Sequence, residues 1–202
     1  MRLNFSFPII NLKRSLYIIF TVILLDQISK FYIKLNFPLT LYGDDAILDY
    51  GFFKLLFIEN KGMAWGTKLS DFIPFLGDDI SKLLLSMIRI IAIVFLGYWI
   101  KKSLEDKASN SLLLSLCLIF AGAIGNLLDS IFYGVIFSHS YGQVSTFLPK
   151  ESYAPFFFGH VVDMLQFPIL SWVWPKWIPF VGGEPYTFFE YVFNVACRIR
   201  PL

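Results

Sequence analysis

The stretch Ala121–Gly134, AGAIGNLLDSIFYG, decides how the rest of the chain is read. It closes an apolar run, SLLLSLCLIF, that begins at Ser111. Four small residues, Ala121, Gly122, Ala123 and Gly125, come early in it. An amide, Asn126, and a carboxylate, Asp129, then stand where a buried helix should stay apolar. Small residues let helices approach closely in lipid. Ionisable groups inside a span are costly and mark function by default. Asn126 and Asp129 are three residues apart, so on a helix they share a face. A plain helix-packing patch with one interfacial carboxylate is the competing reading, and the rest of the chain weighs against it.

The chain has 202 residues, 56% of them hydrophobic and 16% charged, with mean hydropathy +0.64. A soluble domain is nearer half apolar and a quarter charged, so the composition points to an integral membrane protein. A net charge of +2 makes no case for a nucleic-acid partner. Cys117 and Cys197 form neither a ligand spacing nor a disulfide framework. Cys117, inside an apolar run, reads as a small packing residue. His139 and His160 fit no metal motif and read as surface or interfacial side chains. No metal and no cofactor is expected.

Residues 1–15 carry Arg2, Lys13 and Arg14 and no acid. The apolar run after them, about 16–37, is long enough to cross a hydrocarbon core of ~30 Å. It contains Asp26, Lys30 and Lys34. Asp26 and Lys30 share a helical face, which fits either mutual neutralisation or an Asp26 aimed into a polar site of the bundle. Residues 38–79 mix turn glycines, aspartates and short aromatic and β-branched runs, the pattern of short strands. Within them, ENKGMAWG (Glu59–Gly66) suits a tight turn that leaves the Asn60 amide free for hydrogen bonding. A second span follows at about 80–100 and a third at 111–133. Lys82 in the second can snorkel, whereas Arg89 lies deeper and should face the bundle and find an acid. Lys101, Lys102 and Lys107 in the link fall on the same side as the basic N-terminus, which the positive-inside rule makes the cytoplasm. Residues 135–190 are aromatic and broken by Pro168, Pro175 and Pro179. Their tryptophans favour the headgroup zone. The expected fold is thus a single all-α polytopic membrane domain over 1–202. It carries a small extracytoplasmic β subdomain (38–79) and an interfacial, partly helical aromatic segment (135–190).

These motifs resemble, in order and over nearly the whole chain, those of the lipoprotein signal peptidases (signal peptidase II), aspartic peptidases of the bacterial inner membrane. LDQISK resembles the family's first-span aspartate-and-lysine motif, and NKGMAWG its asparagine-x-glycine turn. GAIGNLLD resembles its third-span glycine-asparagine-aspartate motif. VVDM resembles the motif holding the first catalytic aspartate, here Asp163, and FNVA the start of the one holding the second. The insertion from about Val135 to His160 resembles Bacteroidetes-like versions. Any one motif is weak; five in sequence are not.

The resemblance implies a membrane endopeptidase that removes signal peptides from diacylglyceryl-modified prolipoproteins, cutting before the lipidated cysteine at the outer leaflet. Two carboxylates sharing a proton would supply both base and acid, because close like charges push their pKa values apart. Asp26, Lys30, Asn60, Gly62, Asn126, Asp129 and Asn194 would line the site, with membrane lipids and the prolipoprotein as partners of a monomer. Two positions depart from the pattern. The arginine that usually follows the third-span aspartate is Ser130, which deprives Asp129 of a charge partner. The second catalytic aspartate is Cys197, and no base lies beside it to activate the thiol. The match ends after Ala196, so the fourth span is expected to be missing and Cys197–Leu202 to reflect a reading-frame change. The chain as written is then expected to be inactive. The rival readings are a catalytically dead, binding or structural member of the same family, and a small transporter subunit that uses the intramembrane acids as a pathway. The lack of paired broken helices speaks against the transporter.

Overall fold

The computed structural model describes residues 10–40, 46–60, 77–167, 170–173 and 185–188. Three helices among them are long and apolar enough to cross a membrane. Helix α1 spans Leu12–Asn36 and opens on Asn11, whose side chain accepts from the Arg14 N–H at 3.0 Å. Helix α2 spans Asp78–Glu105, with Asp78 and Asp79 in its first turn, where carboxylates offset the positive end of the helix dipole. Lys107 takes a positive φ of 50° in the short link after it. Ser109 then caps α3, Asn110–Leu128, by accepting from the Leu112 N–H. So short a link makes α2 and α3 antiparallel neighbours.

Both α1 and α2 lie against α3, which is therefore the middle of the bundle. The shared core is small: Ile19, Ile100, Leu116, Cys117 and Ala121, flanked by Val22, Leu96 and Phe120. Cys117 is fully buried there, the packing role its neighbours suggest. The outward faces carry large apolar side chains such as Phe20, Ile91, Val94 and Phe95. An exposed apolar surface of that extent needs lipid, not water, as its solvent.

At its C-terminal end α3 widens. Asp129–Tyr133 form a π-helical turn, and Gly134–Ile136 complete the rod. Such turns are frequent at functional sites. Here the returning chain docks on the widened turn. Gly159 N–H donates to the Ser130 carbonyl at 2.9 Å, Phe157 N–H to Ile131 at 3.2 Å, and Ala154 N–H to Gly134 at 3.1 Å. Gly159 must be glycine, because a Cβ would run into the Asp129 carbonyl and sit 2.9 Å from the Gly134 nitrogen.

A three-stranded antiparallel sheet covers this end, in the order β1 (Leu48–Asp49), β2 (Lys54–Asn60), β3 (Val161–Gln166). Ile58 faces Asp163, Glu59 faces Val162 and Asn60 faces Val161. Strands β4 (Leu170–Val173) and β5 (Pro185–Phe188) pair separately. The expected interfacial, partly helical segment is tested only over its described residues, and Val161–Gln166 departs from it. Among the described residues beyond Ile136 there is no helix, and Val161–Gln166 joins the sheet. Val161, Asp163 and Leu165 alternate with Val162, Met164 and Gln166, and that period of two is satisfied by pairing with β2. The second apolar cluster, Ile33, Phe57, Tyr133, Phe137 and Val162, fastens the sheet onto the ends of α1 and α3.

Candidate active site

Four of the polar residues singled out on the spans meet at one point between α1 and α3. Lys30 and Asp129 are fully buried. The Lys30 ammonium lies 2.7 Å from Asp129 Oδ2, 3.0 Å from Asp26 Oδ2 and 3.2 Å from Asn126 Oδ1. Three acceptors use all three of its donors. The approach depends on Gly125, where a Cβ would collide with the Asp26 carboxylate. Asp26 is thus both neutralised by Lys30 and turned into the bundle, so the two readings of that pair hold together.

Gln27 completes the network. Its Nε2 donates to Asp26 Oδ2 and to Asp129 Oδ1, both at 3.0 Å, while its Oε1 accepts from the Tyr133 hydroxyl at 3.1 Å. Sequence reasoning passed over Gln27 and Tyr133. A neutral amide beside a carboxylate and a tyrosine near a span end are both unremarkable one at a time.

One expectation about charge partners is corrected. Asp129 does not lack a cation, because Lys30 comes to it from α1. Arg89 donates to Ser130 Oγ at 2.6 Å and also feels the charges of Asp163 and Asp129, as expected of an arginine that faces the bundle near its acids. The Lys82 ammonium donates to the Phe158 carbonyl at 2.5 Å. His160, read as a surface or interfacial side chain, has its Nδ1 3.1 Å from Glu59 Oε2, whereas His139 is exposed.

Asp163 comes to this cluster through its own strand. Asp129 Oδ2 accepts the Val162 N–H at 3.2 Å, so the buried carboxylate of α3 grips the backbone beside Asp163. The Asp163 side chain is half-buried on β3 and hydrogen-bonds with the Asn60 side chain of β2. Burial pushes its pKa from the ordinary 3.8 up to about 6. The nearby Asp129 charge works in the same direction, while the Asn60 hydrogen bond and the Lys30 and Arg89 charges oppose it. A carboxyl tuned to about 6 changes protonation near neutral pH, as a general acid or base must. The structure therefore brings Asp26, Lys30, Asn60, Asn126, Asp129 and Asp163 to one end of the bundle, the end covered by the sheet. Gly62, Asn194 and Cys197 lie outside the described residues.

Comparison with known proteins identifies the family. The sequence profile of the family described as Signal peptidase (SPase) II matches residues 18–197. A lipoprotein signal peptidase from Porphyromonas gingivalis is 41% identical over 181 residues, covering 89% of this chain and 74% of that protein. One from Amoebophilus asiaticus is 33% identical over 175 residues, covering 86% and 67%. A solved structure of a bacterial membrane enzyme overlays with a TM-score of 0.49 at 22% identity, covering 78% of this chain and 72% of that one. With the profile running through nearly the whole length and three apolar helices carrying it, the chain belongs to the signal peptidase II family and is a membrane protease.

Proposed function

We propose that this protein cleaves diacylglyceryl-modified prolipoproteins just before the lipidated cysteine, and that Asp163 is a carboxylate working directly on the scissile amide. The observation that carries the reading is Asp163 itself. It is half-buried, lifted to about 6, and sits on a strand that a buried ion network ties to the third span. Near neutral pH its carboxylate takes a proton from the attacking water. The departing nitrogen needs a proton from a second group, for which the resemblance points to position 197. Asn60 orients Asp163, while Asp26, Lys30, Asn126 and Asp129 hold the frame. Gly62 and Asn194 are assigned to the substrate side by resemblance alone.

The protein sits in the bacterial inner membrane as a monomer surrounded by lipid, with its N-terminus in the cytoplasm and its sheet at the outer leaflet. Lys13 and Arg14 at the start of α1 and Lys101, Lys102 and Lys107 around the link support that orientation. Thiol labelling of Asp49→Cys from the outside and of Lys101→Cys only from the inside is expected; the opposite pattern overturns it.

The test of function is turnover of a diacylglyceryl lipobox peptide. Asp163→Asn matches the carboxylate in shape but serves as neither acid nor base, so cleavage should vanish while peptide capture persists. Full cleavage by that variant removes Asp163 from the mechanism. EDTA should leave the rate unchanged; loss on chelation and recovery with zinc contradict the aspartic mechanism. One observation favours a second reading, substrate binding without turnover: Cys197 stands where the second carboxylate is expected.

A further inference from the structure

A second buried ion cluster lies at the outer end of α1, and none of the roles assigned above uses it. Lys34, in the last turn of α1, is fully buried. Its ammonium pairs with Glu59 Oε1 of β2, donates to Ser140 Oγ at 2.8 Å, and faces the rings of Phe57, Phe137 and Tyr153 at 5.7, 5.2 and 5.2 Å. Ser140 passes its own proton to Glu59 Oε1 at 2.7 Å. The other Glu59 oxygen meets His160 Nδ1 at 3.1 Å, and the His160 N–H donates to the Tyr153 hydroxyl at 2.8 Å. One carboxylate thus joins four pieces of chain: α1, β2, the loop after α3, and the residue that leads into β3. Burial alone would raise the Glu59 pKa, but the hydrogen bonds from His160, Lys34 and Ser140 and the Lys34 charge hold it down to about 2.

Buried ion pairs are a poor source of stability, since desolvation consumes what the attraction returns; their best-attested use is to fix register. Register is what this place needs. The β2–β3 pairing shifts register between Leu55 and Ile58, so the Ile58–Asn60 end that faces Asp163 keeps a register of its own, separate from the Lys54–Leu55 end. Glu59 sits at that end, opposite Val162, and its neighbour Asn60 hydrogen-bonds with Asp163. His160 is three residues before Asp163 on the same path. We propose that Glu59, clamped by Lys34 and His160, is a positioning residue for peptide hydrolysis, holding β2 and β3 in the register that aims Asp163 at the scissile amide. This rests on the reading of Asp163 as the working carboxylate.

Three variants test it, in the chain as it stands and in the same chain carrying Cys197→Asp. Glu59→Asp keeps the charge but draws the anchor in by one methylene. A displacement of about 1 Å costs on the order of 10²-fold in rate, so kcat should fall roughly 10- to 100-fold with KM changed less than about threefold. The double variant Lys34→Met, Glu59→Leu replaces the pair with apolar side chains. It should melt near the parent's Tm yet be as slow as Glu59→Asp. His160→Ala should be slow and His160→Asn, which keeps a donor at the Nδ1 position, should recover most of the rate. Carbodiimide labelling of Asp163 against pH gives a readout independent of turnover: its midpoint should leave the parent value in Glu59→Asp and His160→Ala and return in His160→Asn. Parent kcat in the folded double variant, or an unmoved midpoint in both single variants, overturns the proposal. Asp163→Asn, run alongside, separates the two claims: if it cleaves normally, the reading of Asp163 fails. If it is dead while the double variant works at the parent rate, only the positioning role fails.

Discussion

Replacing Asp163 by asparagine should make the protein more stable at pH 8 and nearly unchanged in stability at pH 4. The folded state holds this carboxyl at about 6 against an ordinary 3.8. Between those values the native protein binds more protons than the unfolded chain. Stability therefore falls as pH rises through that window, and stays lowered above it. At 1.36 kcal/mol per pH unit the native state gives up about 3 kcal/mol at pH 8, and about 2 to 3 once screening at the partly exposed carboxylate is allowed for. At pH 4 the same relation leaves about 0.5 kcal/mol. Asparagine keeps the shape and can still hydrogen-bond Asn60, but never ionises. The assay is thermal melting in detergent of parent and variant at both pH values, with an expected gain of roughly 5–10 °C at pH 8 that mostly disappears at pH 4. An equal gain at both pH values would trace the effect to packing. No gain at pH 8 would show that Asp163 is not held in a destabilised, ionisable state, and the acid–base argument for it would fall.

Three further outcomes follow from the same geometry. Lys30→Met leaves Asp26 and Asp129 facing each other without their cation. A loss of about 3–5 kcal/mol is expected, read as a lower melting temperature or failure to accumulate; parent-like melting contradicts the network. Gly125→Ala drives a methyl into the Asp26 carboxylate and should cost about 1–3 kcal/mol as overpacking. A neutral result in the same melting assay would mean that α1 and α3 are not so closely apposed. Cys197→Asp should raise lipobox-peptide turnover on the order of 10²-fold or more, the usual worth of a placed acid or base. Unchanged kcat would show that position 197 is not the second group.

What was legible in the sequence was whatever looked wrong in its local setting. Asp26, Lys30, Asn126 and Asp129 interrupt apolar helices, and a charge in a span announces itself because lipid makes it expensive. Their mutual contacts were half legible: spacing puts Asp26 with Lys30 and Asn126 with Asp129, but nothing local says that Lys30 serves Asp129 about 100 residues away. Lys34, Glu59 and His160 were given no joint role, because each has an ordinary reading alone: a lysine late in a span, a glutamate before a glycine turn, a histidine at a surface or interface. The strand Val161–Gln166 was misplaced for the same reason. Its partner, β2, is far off in sequence, while the aromatic and proline-rich residues after it speak for an interface. Its alternation was present in VVDMLQ but too short to outweigh that composition.

The π-helical turn at Asp129–Tyr133 acts as a phase shifter in the third span. Each residue of an α-helix advances the side-chain direction by about 100°. A turn with a wider ring breaks that count once, so the residues before it and the carbonyls after it can be aimed separately. Up to the start of the turn, Asn126 and Asp129 face Lys30; from Ser130 onward, the backbone carbonyls face the returning loop. Deleting one residue there and letting the helix become regular would leave the lower half in place and swing the docking edge by about a quarter turn. The inner network would survive and the strand bearing Asp163 would lose its berth. Length variation at this one point of the helix is therefore a route by which chains of this architecture can re-aim the covering sheet without rebuilding the bundle beneath it.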